Sequence, residues 1–242
     1  MDVKGLNVRA GDVEIIGGID LAIKPGEVHV IMGQNGSGKT TLLHALAGHP
    51  KYSATGSARF CGKDLLSLKP HERARAGLFL AFQHPNEVQG VALSSFLRRA
   101  YVASHGKEIS VPDFERLLLE KMALLGMDRK FAARGLNEGF SGGEKKRSEM
   151  LQLAVLEPKL AMLDELDSGL DVDALSDVSG FLENIRKAGA SLLIVTHYSR
   201  ILRGLKPDAV HVMRGGKIIA SGDSRLADKL EEKGYGWIDK SV

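Results

Sequence analysis

The 242-residue sequence contains a single cysteine, Cys61. One thiol excludes a disulfide within the chain, which suits a reducing compartment. It also excludes an iron–sulfur cluster held by this chain alone through the usual four thiolates. Cys61 precedes Gly62 and reads as a small apolar residue at a strand end rather than a reactive thiol. Long apolar runs are missing as well. The run "LLIV" at 192–195 falls well short of the roughly 18 residues a membrane span needs. The opening "MDVKGLNVRAGDVEII" alternates and is too polar for a secretory signal. The expectation is a cytoplasmic chain. Neither sign of charge dominates: the net charge of +3 gives no reason to expect a nucleic-acid or membrane partner. Low-complexity segments and repeats of about 20–50 residues are absent. The histidines show no ligand pattern. His44 and His49 stand five apart, off one helical face, so no zinc site is expected.

What is present begins with short β-type runs, "LNVRA", "IDLAIK" and "EVHVIMG", separated by turn signals such as Pro25-Gly26. A helix is expected from Gly38 through "KTTLLHALAG" to Gly48, followed by strands around "SARFCG" and "GLFLAFQ". From about 94 to 156 apolar residues recur three and four apart, as in helices, with Pro112 in a first turn and Gly126 at an end. Strand, helix and strand then return in "LAMLDE", "DVDALSDVSGFLENIRKAG" and "SLLIVTH". A hairpin around Gly215-Gly216 and a last helix with a tail close the chain. Alternating β and α units argue for a mostly parallel, covered sheet with a helical stretch inserted into it.

Chemistry concentrates first in "GQNGSGKTT", Gly33 to Thr41. It follows a strand, opens a helix and satisfies the P-loop pattern. Gly33, Gln34, Asn35, Gly36, Ser37 and Gly38 supply a loop whose backbone N–H groups can turn toward phosphates. The helix N-terminus adds a positive partial charge. Lys39 is expected to reach the β- and γ-phosphates of ATP, Thr40 to help hold Mg²⁺, and Thr41 to complete the loop.

The second concentration is "AMLDELDSGLDVDAL", where five carboxylates follow an apolar strand. Like charges repel and buried carboxylates are costly, so a nearby cation is expected unless the run is a solvated turn. Asp164 is the candidate Mg²⁺ holder and Glu165 the candidate that orients and polarises the attacking water.

Between these two lies "GFSGGEKKRSEMLQLAVLEP". A Ser-Gly-Gly-Glu run opening a helix, between a P-loop and an Asp-Glu strand, resembles the signature of ABC-type ATPases. Gln83 in "LAFQHP" resembles the family's Q-loop, "SGLD" (Ser168 to Asp171) its D-loop, and His197 in "LLIVTHYS" its switch histidine. The resemblance covers nearly all of the chain. Within the family the sequence is similar to the SUF branch, which serves iron–sulfur cluster assembly. Leu166-Asp167 follows Glu165 where transporter ATPases usually carry Pro-Thr, the signature has Glu144 in place of Gln, and the tail reads "EEKGYGWI".

The resemblance implies an α/β fold: a P-loop NTPase with a RecA-like core sheet, an antiparallel β subdomain and an inserted helical subdomain. It implies one ABC ATPase domain over 1–242, with 1–83 and 161–242 as the nucleotide-binding lobe and 84–160 as the helical insert. ATP and Mg²⁺ are the implied cofactors. Two copies would pair head to tail, with Ser141, Gly142 and Gly143 capping the γ-phosphate held by the other copy. Glu165 would be general base or water positioner. His197 would hydrogen-bond the γ-phosphate and water, and Gln83 would sense Mg²⁺ and the γ-phosphate. Asp171 would sit at the subunit boundary. Lys145, Lys146 and Arg147 read equally well as a solvated basic face. SufB- and SufD-like scaffold proteins are the implied partners, docking near Val88, Val91, Leu93, Phe96 and Leu97, although most of these positions also suit a helical core. The alternative within the same chemistry is the ATP-binding subunit of an ABC transporter. A non-hydrolysing switch or a DNA-repair ATPase is the third reading. Two departures stand out. No Phe, Tyr or Trp precedes Tyr52, so adenine has no upstream ring to stack on, and Gln34 stands where the family often has Pro.

Overall fold

The computed structural model describes residues 1–83, 85–166, 172–196, 202 and 204–237. The chain starts with strands β1 (Asp2–Ala10), β2 (Val13–Ala22) and β3 (Val28–Met32), then helix α1 (Lys39–Ala47). Strands β4 (Ser53–Phe60) and β5 (Lys63–Asp64), helix α2 (Pro70–Arg75) and strand β6 (Leu78–Ala81) follow. Next come β7 (Val88–Ala92), α3 (Leu93–His105), α4 (Val111–Leu124), β8 (Gly135–Leu136) and α5 (Gly142–Leu156). The last stretch holds β9 (Leu160–Asp164), α6 (Val172–Lys187), β10 (Ser191–Val195), β11 (Ala209–Arg214), β12 (Lys217–Gly222) and α7 (Ser224–Lys233).

Strands β3, β9 and β10 are buried at every position. Mostly apolar strands buried along their whole length belong to a sheet covered on both faces. The main sheet has the order β12-β11-β3-β10-β9-β6. All its pairs are parallel except the β11–β12 hairpin. A second, antiparallel sheet has the order β2-β1-β4-β5. One apolar cluster joins α1 and this second sheet to one face of the main sheet, with Leu42, Leu43 and Leu46 against Ile31 and Leu193. Another joins α6 and α7 to the opposite face, through Leu175, Val178, Leu182 and Leu230. A third fills the space among α3, α4 and α5, around Leu93, Leu97, Phe114, Leu118 and Leu151. Helix α5 belongs to two of them: Met150 and Leu153 face the main sheet, while Leu151 and Val155 face the helices.

The order β3-β10-β9 sets the strand ends that matter. Val195 lies beside Ile31 on one flank and Asp164 on the other. The loops after β3 and β9 therefore leave the sheet at the same carboxyl edge, where ligands of such sheets bind.

Two local expectations change. Residues Val88–Ala92 form a strand that pairs with Gly135–Leu136, a ribbon joining segments too far apart for local pattern to reveal. This divides the apolar run around it: Leu93 and Leu97 are fully buried, whereas Val88 and Val91 are exposed. His44 and His49, read as pointing apart, stack with ring centroids 5.2 Å apart. Gly48 ends α1 in the left-handed region (φ 82°) and folds the chain back, so His49 does not continue the helix. Among the described residues no group of three or more His, Cys, Asp or Glu is arranged to hold a metal, and no helix is long and apolar enough to cross a membrane.

Candidate functional site

The loop from β3 to α1 needs glycine at two positions for different reasons. A Cβ on Gly33 would overlap the Met213 carbonyl oxygen of β11 and lie 2.9 Å from Ser37 Oγ. Gly38, the residue before α1, has φ 102° and ψ 4°, a left-handed conformation that side chains resist. The loop so formed borders an open cavity of ≈ 410 Å³, shared with Ile15 of β2, Gln83 and Glu165.

Lys39 is 5% exposed, and its Nζ donates to the carbonyls of Gly33 at 2.7 Å and Gln34 at 3.0 Å. Burial holds its pKa below the usual lysine value, while the carboxylates of Glu165 and Asp164 pull the other way. Lys39 is thus a cation within electrostatic reach of the two carboxylates at the end of β9. Thr40 Oγ1 donates to Asp164 Oδ1 at 3.2 Å, across the 124 residues that separate them in sequence. Ser37 Oγ is buried and has no hydrogen-bond partner among the described residues.

Glu165 follows β9 with φ 49°, in the left-handed region although it carries a full side chain. Such backbone is held only where the surroundings enforce it. Here the Glu165 N–H donates to Val195 O at 3.0 Å, which ties it to the end of β10. Gln83 Nε2 donates to Glu165 Oε2 at 2.6 Å.

Ser141, Gly142 and Gly143 stand apart from this cavity, exposed at the start of α5. Ser141 Oγ accepts the Glu144 N–H at 3.3 Å, and the Glu144 carboxylate accepts the Ser141 N–H at 2.8 Å. This reciprocal cap satisfies two of the helix's free donors. The bond from Ser141 N–H holds the Glu144 carboxyl below its ordinary range. One chain therefore gathers Gly33 to Thr41, Gln83, Asp164 and Glu165, and leaves Ser141–Gly143 outside. Asp167, the segment Ser168 to Asp171, and His197 lie outside the described residues.

Three contributors escaped the sequence reading. Ile15 lines the cavity although β2 precedes the P-loop without any aromatic residue. Burial shifts the Tyr235 phenol up, and the nearby Gly33 backbone offsets part of that shift, so the tail lies close to the start of the P-loop. Glu149 of α5 is buried beside Phe82. Period and motif mark these residues only as strand, tail and helix. Their place at the site depends on which elements pack together.

Residues 16–168, more than half of the chain, match the model of the family described as ABC transporter. The chain belongs to the ABC transporter family. It is an ABC-type ATPase, and its sequence groups with the SUF-type members. It is 50% identical over 243 residues to "Probable ATP-dependent transporter SufC" of Escherichia coli (strain K12), covering 98% of each chain. It is 50% identical over 245 residues to "Vegetative protein 296" of Bacillus subtilis (strain 168), covering 100% of this chain and 94% of that one. Among solved structures, the ABC fold recurs in a dimeric bacterial ABC transporter cassette, MJ0796, with a TM-score of 0.80. That match has 19% identity and covers 93% of this chain and 98% of the cassette. The cbiO1 subunit of a Clostridium perfringens ABC transporter complex matches with a TM-score of 0.75 and 26% identity, covering 96% of this chain and 91% of that one.

Proposed function

We propose that this ABC ATPase drives iron–sulfur cluster assembly by hydrolysing ATP in a head-to-tail pair and so moving SufB- and SufD-like scaffold partners. The observation that carries the site assignment is a cavity that the P-loop, Gln83 and Glu165 line together. The partner assignment rests on full-length similarity to a relative named SufC.

The P-loop's chemistry fits a triphosphate. A buried ammonium held by two carbonyls and a hydroxyl without a partner both gain from an anion that replaces their present surroundings. The glycine positions leave room for close backbone approach, and the N-terminus of α1 favours negative charge. Thr40 and Asp164 present oxygen donors side by side, the ligand type that Mg²⁺ prefers, with Gln83 as a further oxygen ligand nearby. Bound there, Mg²⁺ would neutralise charge on the phosphates. Lys39 would hold the β- and γ-phosphates. Glu165 would accept the proton of the attacking water, or orient that water, and Gln83 would hold the Glu165 carboxylate in place. His197 and Asp171 take the γ-phosphate and subunit-boundary roles implied by the family.

The signature residues Ser141–Gly143 cannot serve the same chain's cavity from where they sit, so a second copy would present them. The dimeric cassette with the same fold supports this arrangement. Residues 84–160 act in this reading as the helical insert that carries the signature, between core segments 1–83 and 161–242. The exposed Val88 and Val91 lie on it as part of the docking surface.

Glu165→Gln is the test of the site: ATP binding should persist while turnover falls about 10²–10⁴-fold, the usual worth of a general base. Wild-type turnover in that variant would remove Glu165 from its role. Affinity purification from the native host tests the partner. Recovery with SufB- and SufD-like proteins supports the assembly role, whereas recovery only with a multi-span membrane protein makes the chain a transporter subunit.

A further inference from the structure

Glu149 is a carboxyl buried to 4% exposure in the middle of α5, and neither the hydrolytic chemistry nor the signature uses it. Burying a carboxyl is costly unless it has a specific partner. Its partner is the Phe82 N–H, which donates to Glu149 Oε1 at 2.8 Å. Strand β6 ends at Ala81, so this is the first N–H to leave the ladder, one residue before Gln83. Burial pushes the Glu149 carboxyl up to about 7, against the pull of the Phe82 N–H and Lys146.

A second tie lies one helical turn away. Lys145 and Glu149 are four residues apart and share one face of α5. Lys145 Nζ meets Glu87 Oε1 at 2.9 Å. A third comes from the loop ahead of the signature, where Asn137 Nδ2 donates to Asn86 O at 3.0 Å. Gln83 lies between these attachments, and its own side chain holds Glu165 at 2.6 Å.

We propose that Glu149 is a positioning residue for hydrolysis: it fixes the main chain at Phe82 to the signature helix and so sets where Gln83 meets Glu165. The proposal rests on the roles assigned above to Gln83 and Glu165. It gives the signature half of one site a direct mechanical link to the hydrolytic half of the other. When a second copy's nucleotide pulls on Ser141–Gly143, α5 carries the Phe82 main chain with it. An apolar side chain at 149 would fill the same space and leave that link unmade.

The test compares Glu149→Met, which keeps volume and removes the acceptor, with Glu149→Gln, which keeps an acceptor oxygen. Glu149→Met should lower kcat about 10- to 100-fold, the cost of an ångström-scale misplacement, with KM for ATP within about threefold. Glu149→Gln should restore kcat to within about threefold. Hydrogen exchange at the Phe82 amide should be slow in wild type and Glu149→Gln and faster in Glu149→Met. Wild-type kcat in Glu149→Met overturns the proposal. So does equal loss in both variants, because the Gln oxygen still accepts. If Glu149→Met does not fold, Glu149→Leu takes its place under the same criteria, and collapse of both folds while Glu149→Gln stays fully active assigns Glu149 to stability alone and overturns the proposal. Glu165→Gln run alongside separates the two levels. If it retains turnover, the site assignment fails. If it is inactive while Glu149→Met is normal, only the positioning role fails.

Discussion

Two helix N-termini in this molecule are proposed to meet phosphate, α1 that of its own nucleotide and α5 that held by a second copy, and they are built in opposite ways. At α1 the groups are buried: Ser37 Oγ has no hydrogen-bond partner among the described residues, and Lys39 donates to two carbonyls. At α5 the groups are exposed and satisfied, because Ser141 and Glu144 cap each other. The first end is prepared for an anion before one arrives. The second is capped without one, and in the proposed pair it would meet the phosphate of the other copy. A pocket that waits for nucleotide and a surface that waits for a second copy have these contrasting requirements. A buried polar group without a partner is costly and marks a place a ligand can satisfy, whereas exposed groups such as those of the Ser141–Glu144 cap can also turn to water.

The sharpest way to break this contrast is to remove one group from each end. Lys39→Ala should weaken ADP binding to the isolated chain about 10- to 100-fold by calorimetry, the scale of a lost charge-assisted bond. Ser141→Ala should leave that affinity within about twofold yet reduce ATP turnover of the assembled complex. Equal loss of affinity in both would place the signature inside the cis pocket. Glycine replacement gives the next largest effect. Gly33→Ala forces a Cβ against the Met213 carbonyl and should lower stability by about 1–3 kcal/mol in denaturant titration. Gly142→Ala meets nothing within 4 Å and should unfold like wild type while losing turnover.

A pH series probes the interior of α5. The Glu149 carboxyl is raised from 4.5 to about 7 in the folded chain, so the native state keeps a proton that the unfolded state releases between those values. Its stabilising effect is complete below about pH 4.5 and is lost as pH rises through about 7. Glu149→Gln removes this dependence, so its gain over wild type should grow by roughly 1–3 kcal/mol from pH 5 to pH 8 in urea unfolding. The smallest effect is expected at the signature cap. Glu144→Gln keeps the capping geometry and removes a negative charge from beside the incoming phosphate. It should tighten ATP-dependent pairing a few-fold, about 0.3–1 kcal/mol, measured by sedimentation. Weaker pairing would show that the carboxylate itself is needed in the paired state.

Much of this was legible in the chain. The P-loop could be read because its parts are contiguous: glycine conformations, a helix start and a lysine within nine positions. The buried strands could be read because β3, β9 and β10 are short, mostly apolar runs bounded by turn signals. Other features were misread or not seen at all, for a physical reason. His44 and His49 were judged by helical spacing, but Gly48 ends the helix between them. The short β7–β8 ribbon joins two segments whose own residues favour no strand strongly. The His29–His211 contact at 3.0 Å joins residues 182 apart and has no local sign at all.

The sequence by itself determined the nucleotide loop, the acidic strand end and the signature cap. Each is a short run whose backbone conformation and hydrogen bonds close within a few residues. Only the tertiary structure decided that Gln83 holds Glu165, that Glu149 holds the Phe82 N–H and that Ile15 faces the cavity. These contacts depend on strand order and on which face of α5 meets the sheet. Long-range packing sets both, and no window of neighbouring residues contains it.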